Sequence, residues 1–238
     1  MDTHKLADGR ETFDVIVYSS QSGSKAVIFA TGAGGLPGRY STIINSLVQA
    51  GYKVIAPHFQ QFVSQTPSDI DLSTRARRIS LALDAFLEPN EPVAGVGHSI
   101  GGTLLLGLAG GQMWLGPGLR VDIPADNRLV GAALLAAPTG YFRAPGALSD
   151  VSVPVWACVG SEDKITPPLQ TEWLAGALNN TQDISISIAE GAGHFAFMDQ
   201  IPSNMEEPME NKNQFLAQCA AQICQFVYLC YEDIQFWK

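Results

Sequence analysis

Positive charge is scarce in this chain. Its 238 residues carry 14 Lys and Arg against 23 Asp and Glu, a formal net charge of −9, and the pI is about 4.8. An acidic chain repels nucleic acid and anionic lipid, whose binders need a basic face. The densest basic cluster, Arg75, Arg77 and Arg78, reads on a helix as a solvated face rather than a phosphate site. No nucleic-acid partner is expected. Cysteine is sparse as well: Cys158, Cys219, Cys224 and Cys230 include no CxxC, and three of the four fall in the last twenty residues. That spacing excludes a zinc site and the disulfide framework of a small secreted domain, and leaves free thiols of a reducing compartment. A bilayer-length apolar run is missing: the leucine-rich stretch 103–109 is short and flanked by glycine. The N-terminal MDTHKLADGRETF has no apolar h-region. The expectation is a soluble, cytoplasmic protein with no membrane span. Charged residues are only 16% against 46% hydrophobic, which excludes disorder as the main state. The 23 glycines show no three-residue period, which excludes collagen. Repeats and low-complexity segments are absent.

What is present is an alternation of strand-like and helix-like runs, the pattern of an α/β domain with a mostly parallel sheet. The length suits one such domain over 1–238. Strands are expected at 13–18, 26–30, 52–56, 92–97, 129–136, 153–159 and 184–188, with 19–24 as a turn. Ile43, Ile44, Leu47 and Val48 repeat at helical spacing before Gly51, a plausible C-cap. Leu72, Ala76, Ile79, Leu83 and Phe86 mark an amphipathic helix with its arginines on the opposite face. Further helices are expected at 99–110, 169–178 and 211–231. The last has Phe215, Cys219, Ile223, Phe226 and Cys230 on one side, with the cysteines as small core residues. That face can pack on its own sheet or on a second copy of the chain in a homodimer, the first arrangement being commoner. Residues 111–127 are rich in glycine and proline; a loop of that length is uncommon unless it is functional or mobile.

The informative sequence is Gly97-His98-Ser99-Ile100-Gly101-Gly102, which follows a strand and opens a helix. G-x-S-x-G in that setting is a nucleophile elbow, a sharp turn that lifts one side chain above the sheet. Its backbone segments crowd together, so Gly97 and Gly101 avoid a clash. The helix N-terminus brings N–H groups to where negative charge would develop, and the Ile100 N–H is one candidate oxyanion donor. A serine needs a base, and the base a carboxylate to orient it. Of four histidines, His4 lies in the polar N-terminus, His58 near a loop and His98 within the elbow. His194, in the Gly191–Phe195 loop after the last strand, is the expected base. The carboxylate should follow a strand between them, and Gly160-Ser161-Glu162-Asp163 offers Glu162 or Asp163. Asp199, five residues past His194, reads as a surface or loop-fixing group. A second donor should come from the loop after an early strand, Thr31-Gly32-Ala33-Gly34-Gly35. That loop has no GxGxxG and no P-loop lysine, so it is not a phosphate cradle.

With these parts the chain resembles the α/β-hydrolase superfamily from about residue 26 to 194. Within it, the chain looks most like dienelactone hydrolase-like esterases near the platelet-activating-factor acetylhydrolase and chlorophyllase relatives. The carriers are VGHSIGG (96–102), DNRLVGAALLAAP (126–138), VPVWACVGSEDKITPP (153–168) and GAGHFAF (191–197). The resemblance implies an α/β-hydrolase fold. The register of Gly160, Asp163 and Pro167 selects Asp163 over Glu162. A His-Gly pair in relatives reads Thr31-Gly32 here, which maps the first oxyanion donor onto Ala33. Dienelactone hydrolases proper use cysteine, whereas Ser99 points to ordinary ester hydrolysis. Only 139–152 separates two late strands, too short for a helical cap, so the site should be open or covered only by loops. The reading is a serine esterase for small or medium acyl esters, with no metal or organic cofactor. Leu36, Trp114 and Phe195 are candidate substrate-binding residues, and Tyr40 and Phe142 further candidates for the pocket wall; Trp114 would act through part of a cover supplied by 111–127, its plainer reading being simple packing on the sheet. Rival readings are an acyltransferase, thioesterase or perhydrolase on the same residues, and a non-catalytic binding protein that kept the fold.

Overall fold

The computed structural model describes residues 1–19, 25–64, 66–178 and 184–236, with side chains described up to residue 232. The turn expected over 19–24 lies outside them apart from Ser19. One eight-stranded sheet organises the chain. Its strands are β1 (Asp2–Asp8), β2 (Glu11–Tyr18), β3 (Ala26–Ala30), β4 (Lys53–Pro57), β5 (Val93–His98), β8 (Leu129–Leu135), β9 (Val155–Gly160) and β10 (Ile184–Ala189). The spatial order is β1-β2-β4-β3-β5-β8-β9-β10. β1 pairs antiparallel with β2, and β2 with β4; from β4 to β10 every pairing is parallel. A separate hairpin joins β6 (Trp114–Gly116) and β7 (Leu119–Arg120). The helices are α1 (Ser41–Gln49), α2 (Asp69–Phe86), α3 (Ile100–Leu108), α4 (Pro168–Leu178) and α5 (Lys212–Phe236).

Parallel strands covered on both faces read as continuous apolar runs, and β3 and β5 are buried at every residue. One core layer joins the sheet to α2, α3 and α4 through Leu72, Ile79, Leu104 and Leu174. The other joins it to α1 and α5 through Ile43, Leu47, Ile223 and Val227. The apolar face of α5 thus packs on its own sheet, and Cys219 and Cys230 are buried there as core residues. Among the described residues no disulfide is formed. Gly51 follows α1 with φ +97°, the left-handed conformation for which glycine is suited. Ser68 and Asp71 close a reciprocal capping box at the start of α2.

Four features differ from the sequence-based expectation. β1 is an additional strand, exposed at its start and polar in sequence, so no apolar alternation marks it. The segment 111–127 contains the β6–β7 hairpin. The arginines of α2 do not share a solvated face: Arg75 is 3% and Arg78 9% exposed. Arg78 pairs with Asp8 and Glu11, while Arg77 reaches Asp8 from the surface. Long basic stems can lie along an apolar face while their heads find polar partners. The isoleucines of β10 share one face as expected, but Ile186 and Ile188 are exposed at the sheet edge. Among the described residues no helix is long and apolar enough to cross a membrane. The connection from β8 to β9 carries only a short 3₁₀ turn (Gly140–Phe142), and among the described residues no separate cap is present.

The sharpest constraint lies where β5 enters α3. A Cβ at Gly97 would meet the Gly102 nitrogen at 2.6 Å, and one at Gly101 would meet the Ala30 carbonyl oxygen at 2.1 Å. The two glycines therefore serve different contacts, one within the elbow and one against the end of β3. Neither neighbour is a flexible side chain, so the backbone itself would have to move. Gly101→Ala should lower Tm by roughly 5 °C or more, the cost of overpacking. Gly176 on α4 has open space around it, and Gly176→Ala should raise stability by roughly 0.5–1 kcal/mol. Paired thermal melts test both signs.

Candidate active site

The parallel strands end along one edge of the sheet, and the loops that leave it carry the expected site residues. Ser99 sits between β5 and α3 with φ 52° and ψ −129°, a left-handed backbone that a non-glycine residue adopts only when its surroundings impose it. Those surroundings are the Ser99 N–H donating to the Leu135 carbonyl at 2.8 Å and the glycine contacts on either side. The turn leaves the Ser99 side chain half-buried in the lining of a cavity of about 820 Å³.

Above it, Ser99 Oγ and His194 Nε2 lie 3.0 Å apart, and His194 Nδ1 and Asp163 Oδ2 lie 2.8 Å apart. A carboxylate can only accept, so Nδ1 carries the proton and Nε2 receives the Ser99 hydroxyl. Asp163 follows β9 as the register of the loop required. Gly160 matters there because a Cβ would meet the Ala192 carbonyl oxygen at 2.0 Å, so only glycine lets the Asp163 and His194 loops touch. The Glu162 N–H donates to that same Ala192 oxygen at 2.9 Å. Glu162 is exposed, and the carboxylate that meets His194 is that of Asp163.

Asp163 is 3% exposed and held from every side. The Ile165 and Thr166 N–H groups donate to Oδ1, each at 2.8 Å, and the Thr166 hydroxyl lies 2.6 Å from Oδ2. Burial pushes this carboxyl upward, but the hydrogen bonds and charge of His194 and the Thr166 donors outweigh it, so the net shift is downward. Thr166 is a site residue absent from the sequence-based expectation. Its signal was a hydroxyl three residues after the aspartate, the spacing of a side chain that closes a local turn.

His98 does not face the serine. Its Nε2 lies 2.9 Å from the His194 carbonyl and its Nδ1 3.0 Å from the Tyr40 hydroxyl. The carbonyl requires a proton on Nε2, so Nδ1 accepts from Tyr40. The Tyr40 oxygen in turn accepts the Gly32 N–H at 3.2 Å. A buried line of donors thus runs from the Gly32 loop to the backbone of His194. Burial beside His194 pushes the His98 pKa down to about 3, keeping the ring neutral. Asp199 accepts from the Thr42 N–H at 2.9 Å and from its hydroxyl, fixing the loop after His194 to the start of α1, the second of the two roles expected for it.

The Gly32–Gly35 turn lies beside the serine. A Cβ at Gly32 would be 3.3 Å from Ser99 Cβ, and Gly35 has φ +74° with the Phe59 carbonyl in the place of its Cβ. Among the described residues no protein acceptor takes the Ala33 or Ile100 N–H. Thr31, where the resemblance expects histidine, is fully buried with its hydroxyl unpaired among the described residues.

Of the expected pocket residues, Leu36, Tyr40 and Phe195 line the cavity; Trp114 and Phe142 do not. α3 is nine residues long, about 13 Å, and leads away from Ser99. The segment that follows starts at its far end, where Trp114 packs on the core and Phe142 is buried. The cavity wall comes instead from 61–64, Tyr141, Ile165 and 202–205, irregular segments without a periodic signal. Among the described residues no group of His, Cys, Asp or Glu side chains is gathered in a way that could hold a metal ion.

No protein-family model matches the chain, and no curated protein matches it in sequence. Solved structures do. A monoacylglycerol lipase from Paleococcus ferrophilus is similar with a TM-score of 0.65 and 16% identity, over 90% of this chain and 99% of that one. The alpha/beta hydrolase domain-containing protein 10 from mouse has a TM-score of 0.62 and 13% identity, over 94% and 99%. The chain has the α/β-hydrolase fold. Propionate-bound esterase 2 from Thermogutta terrifontis is a further similar structure, with a TM-score of 0.63 and 15% identity over 94% of this chain and 92% of that one. In the α/β-hydrolase architecture the edge of the sheet that carries Ser99 is the end where strand-to-helix loops meet.

The neutral state of His98 makes a testable demand. Its folded pKa, about 3, lies below the ordinary 6.5. The unfolded chain therefore binds a proton below pH 6.5 that the folded chain refuses. Stability from this group is full above pH 6.5 and is lost as pH falls toward 3, at about 1.4 kcal/mol per pH unit within that window. Urea unfolding of wild type and His98→Gln at pH 7 and pH 5 should show a steeper loss for the wild type. Equal losses would mean that His98 is charged in the folded protein.

Proposed function

We propose that the protein is a serine hydrolase that cleaves carboxylic esters, with Ser99 as nucleophile, His194 as base and Asp163 as its orienting carboxylate. The observation that carries this reading is the continuous hydrogen-bonded chain from Ser99 Oγ through His194 to Asp163 Oδ2, at the edge of an open cavity. Ser99 attacks the ester carbonyl while its proton passes to His194 Nε2. The imidazolium that forms is stabilised by the Asp163 carboxylate. The carbonyl oxygen becomes an oxyanion, and the Ala33 and Ile100 N–H groups are the donors aimed at it. Collapse of this intermediate breaks the ester C–O bond. His194 returns the proton to the leaving alkoxide oxygen, and the alcohol departs. The acyl group stays on Ser99 until water, activated by the same imidazole, attacks it and releases the acid.

The cavity wall is mostly apolar. Phe62, Val63, Ile165, Phe195, Met198 and Met205 contribute to it, which suits small to medium uncharged acyl esters. Two of the similar structures are named an esterase and a lipase, in keeping with ester hydrolysis. The finer likeness to dienelactone hydrolase-like esterases rests on the four sequence stretches quoted above.

Wild type should hydrolyse p-nitrophenyl acetate or butyrate. Ser99→Ala should lower kcat by about 10⁴-fold or more, and Asp163→Asn by about 10⁴-fold. Folded wild type inert toward short-chain esters, or Ser99→Ala retaining near-full rate, would contradict the assignment.

A further inference from the structure

Arg75 is a buried cation outside the chain of contacts that runs through Ser99. It projects from α2 and is 3% exposed. Its Nη1 donates to the Gly32 carbonyl at 3.0 Å, and its Nη2 to the Ala33 carbonyl at 2.8 Å and the Gln60 carbonyl at 2.6 Å. The guanidinium also lies over the Phe62 ring, 3.6 Å from its centroid, and near Phe59 at 5.0 Å. Among the described residues no carboxylate forms an ion pair with it. Burial lowers its pKa to about 10, so it stays charged at neutral pH. A methionine would fill the space between the two rings without the cost of desolvating a charge. The charge is retained where three backbone carbonyls converge, and two of them belong to the turn beside Ser99.

We propose that Arg75 is the positioning residue of this turn, holding the Gly32–Ala33 peptide so that its N–H is presented to the oxyanion. The inference rests on the reading of Ala33 as a donor given above. In a trans peptide the C=O and N–H point in opposite directions. The Gly32 carbonyl and the Ala33 N–H belong to one peptide, so fixing the carbonyl on Arg75 aims the N–H away from it. A cation on the oxygen also polarises the peptide and strengthens the N–H as a donor. The Tyr40 hydroxyl holds the Gly32 N–H on the other side, and the Gly35 N–H adds a second donor to the Gly32 carbonyl at 3.0 Å. Gly32 is thereby fixed at both of its polar groups before substrate arrives, which is what electrostatic preorganisation requires.

A group that acts only through the oxyanion donor affects the transition state and spares ground-state binding. The test is hydrolysis of p-nitrophenyl butyrate by wild type, Arg75→Met and Arg75→Lys, together with inhibition by a trifluoromethyl ketone. The ketone's hemiketal on Ser99 bears the same oxyanion. Arg75→Met should lose about 100-fold in kcat, the scale of one oxyanion donor, with KM within about threefold of wild type. The ketone Ki should rise by about the factor by which kcat/KM falls, since both report the oxyanion. Arg75→Lys should recover about tenfold of the loss, because an ammonium keeps the charge but lacks the planar fork that serves three carbonyls. A folded Arg75→Met with wild-type kcat, or a fall in kcat with an unmoved ketone Ki, overturns the proposal. If Arg75→Met does not fold, Arg75→Lys decides alone: unchanged kcat and Ki overturn it. A wild type inert toward both ester and ketone removes the parent reading, and this one with it.

Discussion

A serine at φ 52° is the conformation on which the rest of the site depends. No L-residue takes that backbone freely, so it must be imposed, and the imposing contacts are backbone to backbone. The Leu135 carbonyl holds the Ser99 N–H, Gly97 closes on Gly102, and Gly101 presses on the end of β3. All three come from central parallel strands with fully buried residues. The hydrophobic layers on either face of the sheet therefore fix the elbow, and the elbow directs one hydroxyl toward the loops. Removing the small residues would leave the core composition almost unchanged and still dismantle the site.

The loops around Ser99 are joined to one another as well as to the sheet. His98 ties the Gly32 loop, through Tyr40, to the backbone of His194. The Asp163 loop is tied to the His194 loop at Ala192 and to Ala136 through the Thr166 hydroxyl. Arg75 ties the Gly32 loop to α2 and to the segment that supplies Phe62. Most of these links use side chains that are buried and neutral, or, in Arg75, buried and charged without a carboxylate. Polar groups in such places raise the cost of any alternative arrangement, so the loops have one geometry in which all are satisfied.

Much of this was legible in the sequence, for reasons that particular residues make clear. The strand β3 is short and wholly apolar, so its ends fall at the expected positions, while β5 runs one residue later than expected and closes on His98. G-H-S-I-G is local, and its geometry follows from a sharp turn that only small flanking residues permit. Ser99, Asp163 and His194 could be named from spacing and resemblance because each follows a strand. β1 was not legible because its side chains are mostly exposed and polar. Trp114 was misassigned to the pocket because direction is not written in the sequence: nine helical residues carry the chain away from the serine. The arginines of α2 were taken as solvated because charge alone suggests water, whereas the partners of Arg75 are carbonyls fifteen or more residues upstream in the chain. Thr166 was missed for the same reason, and Tyr40 was expected only as pocket wall and not as a partner of His98, since a hydroxyl gains its role only from what the fold sets beside it.

The central claim is that Ser99 is an activated nucleophile with donors ready for an oxyanion. Covalent labelling by a fluorophosphonate, read by intact mass and peptide mapping on wild type and Ser99→Ala, tests it most directly. The account predicts one adduct per chain, on Ser99, with none on Ser99→Ala. A folded wild type that takes no adduct, or one labelled elsewhere with Ser99 untouched, would contradict it.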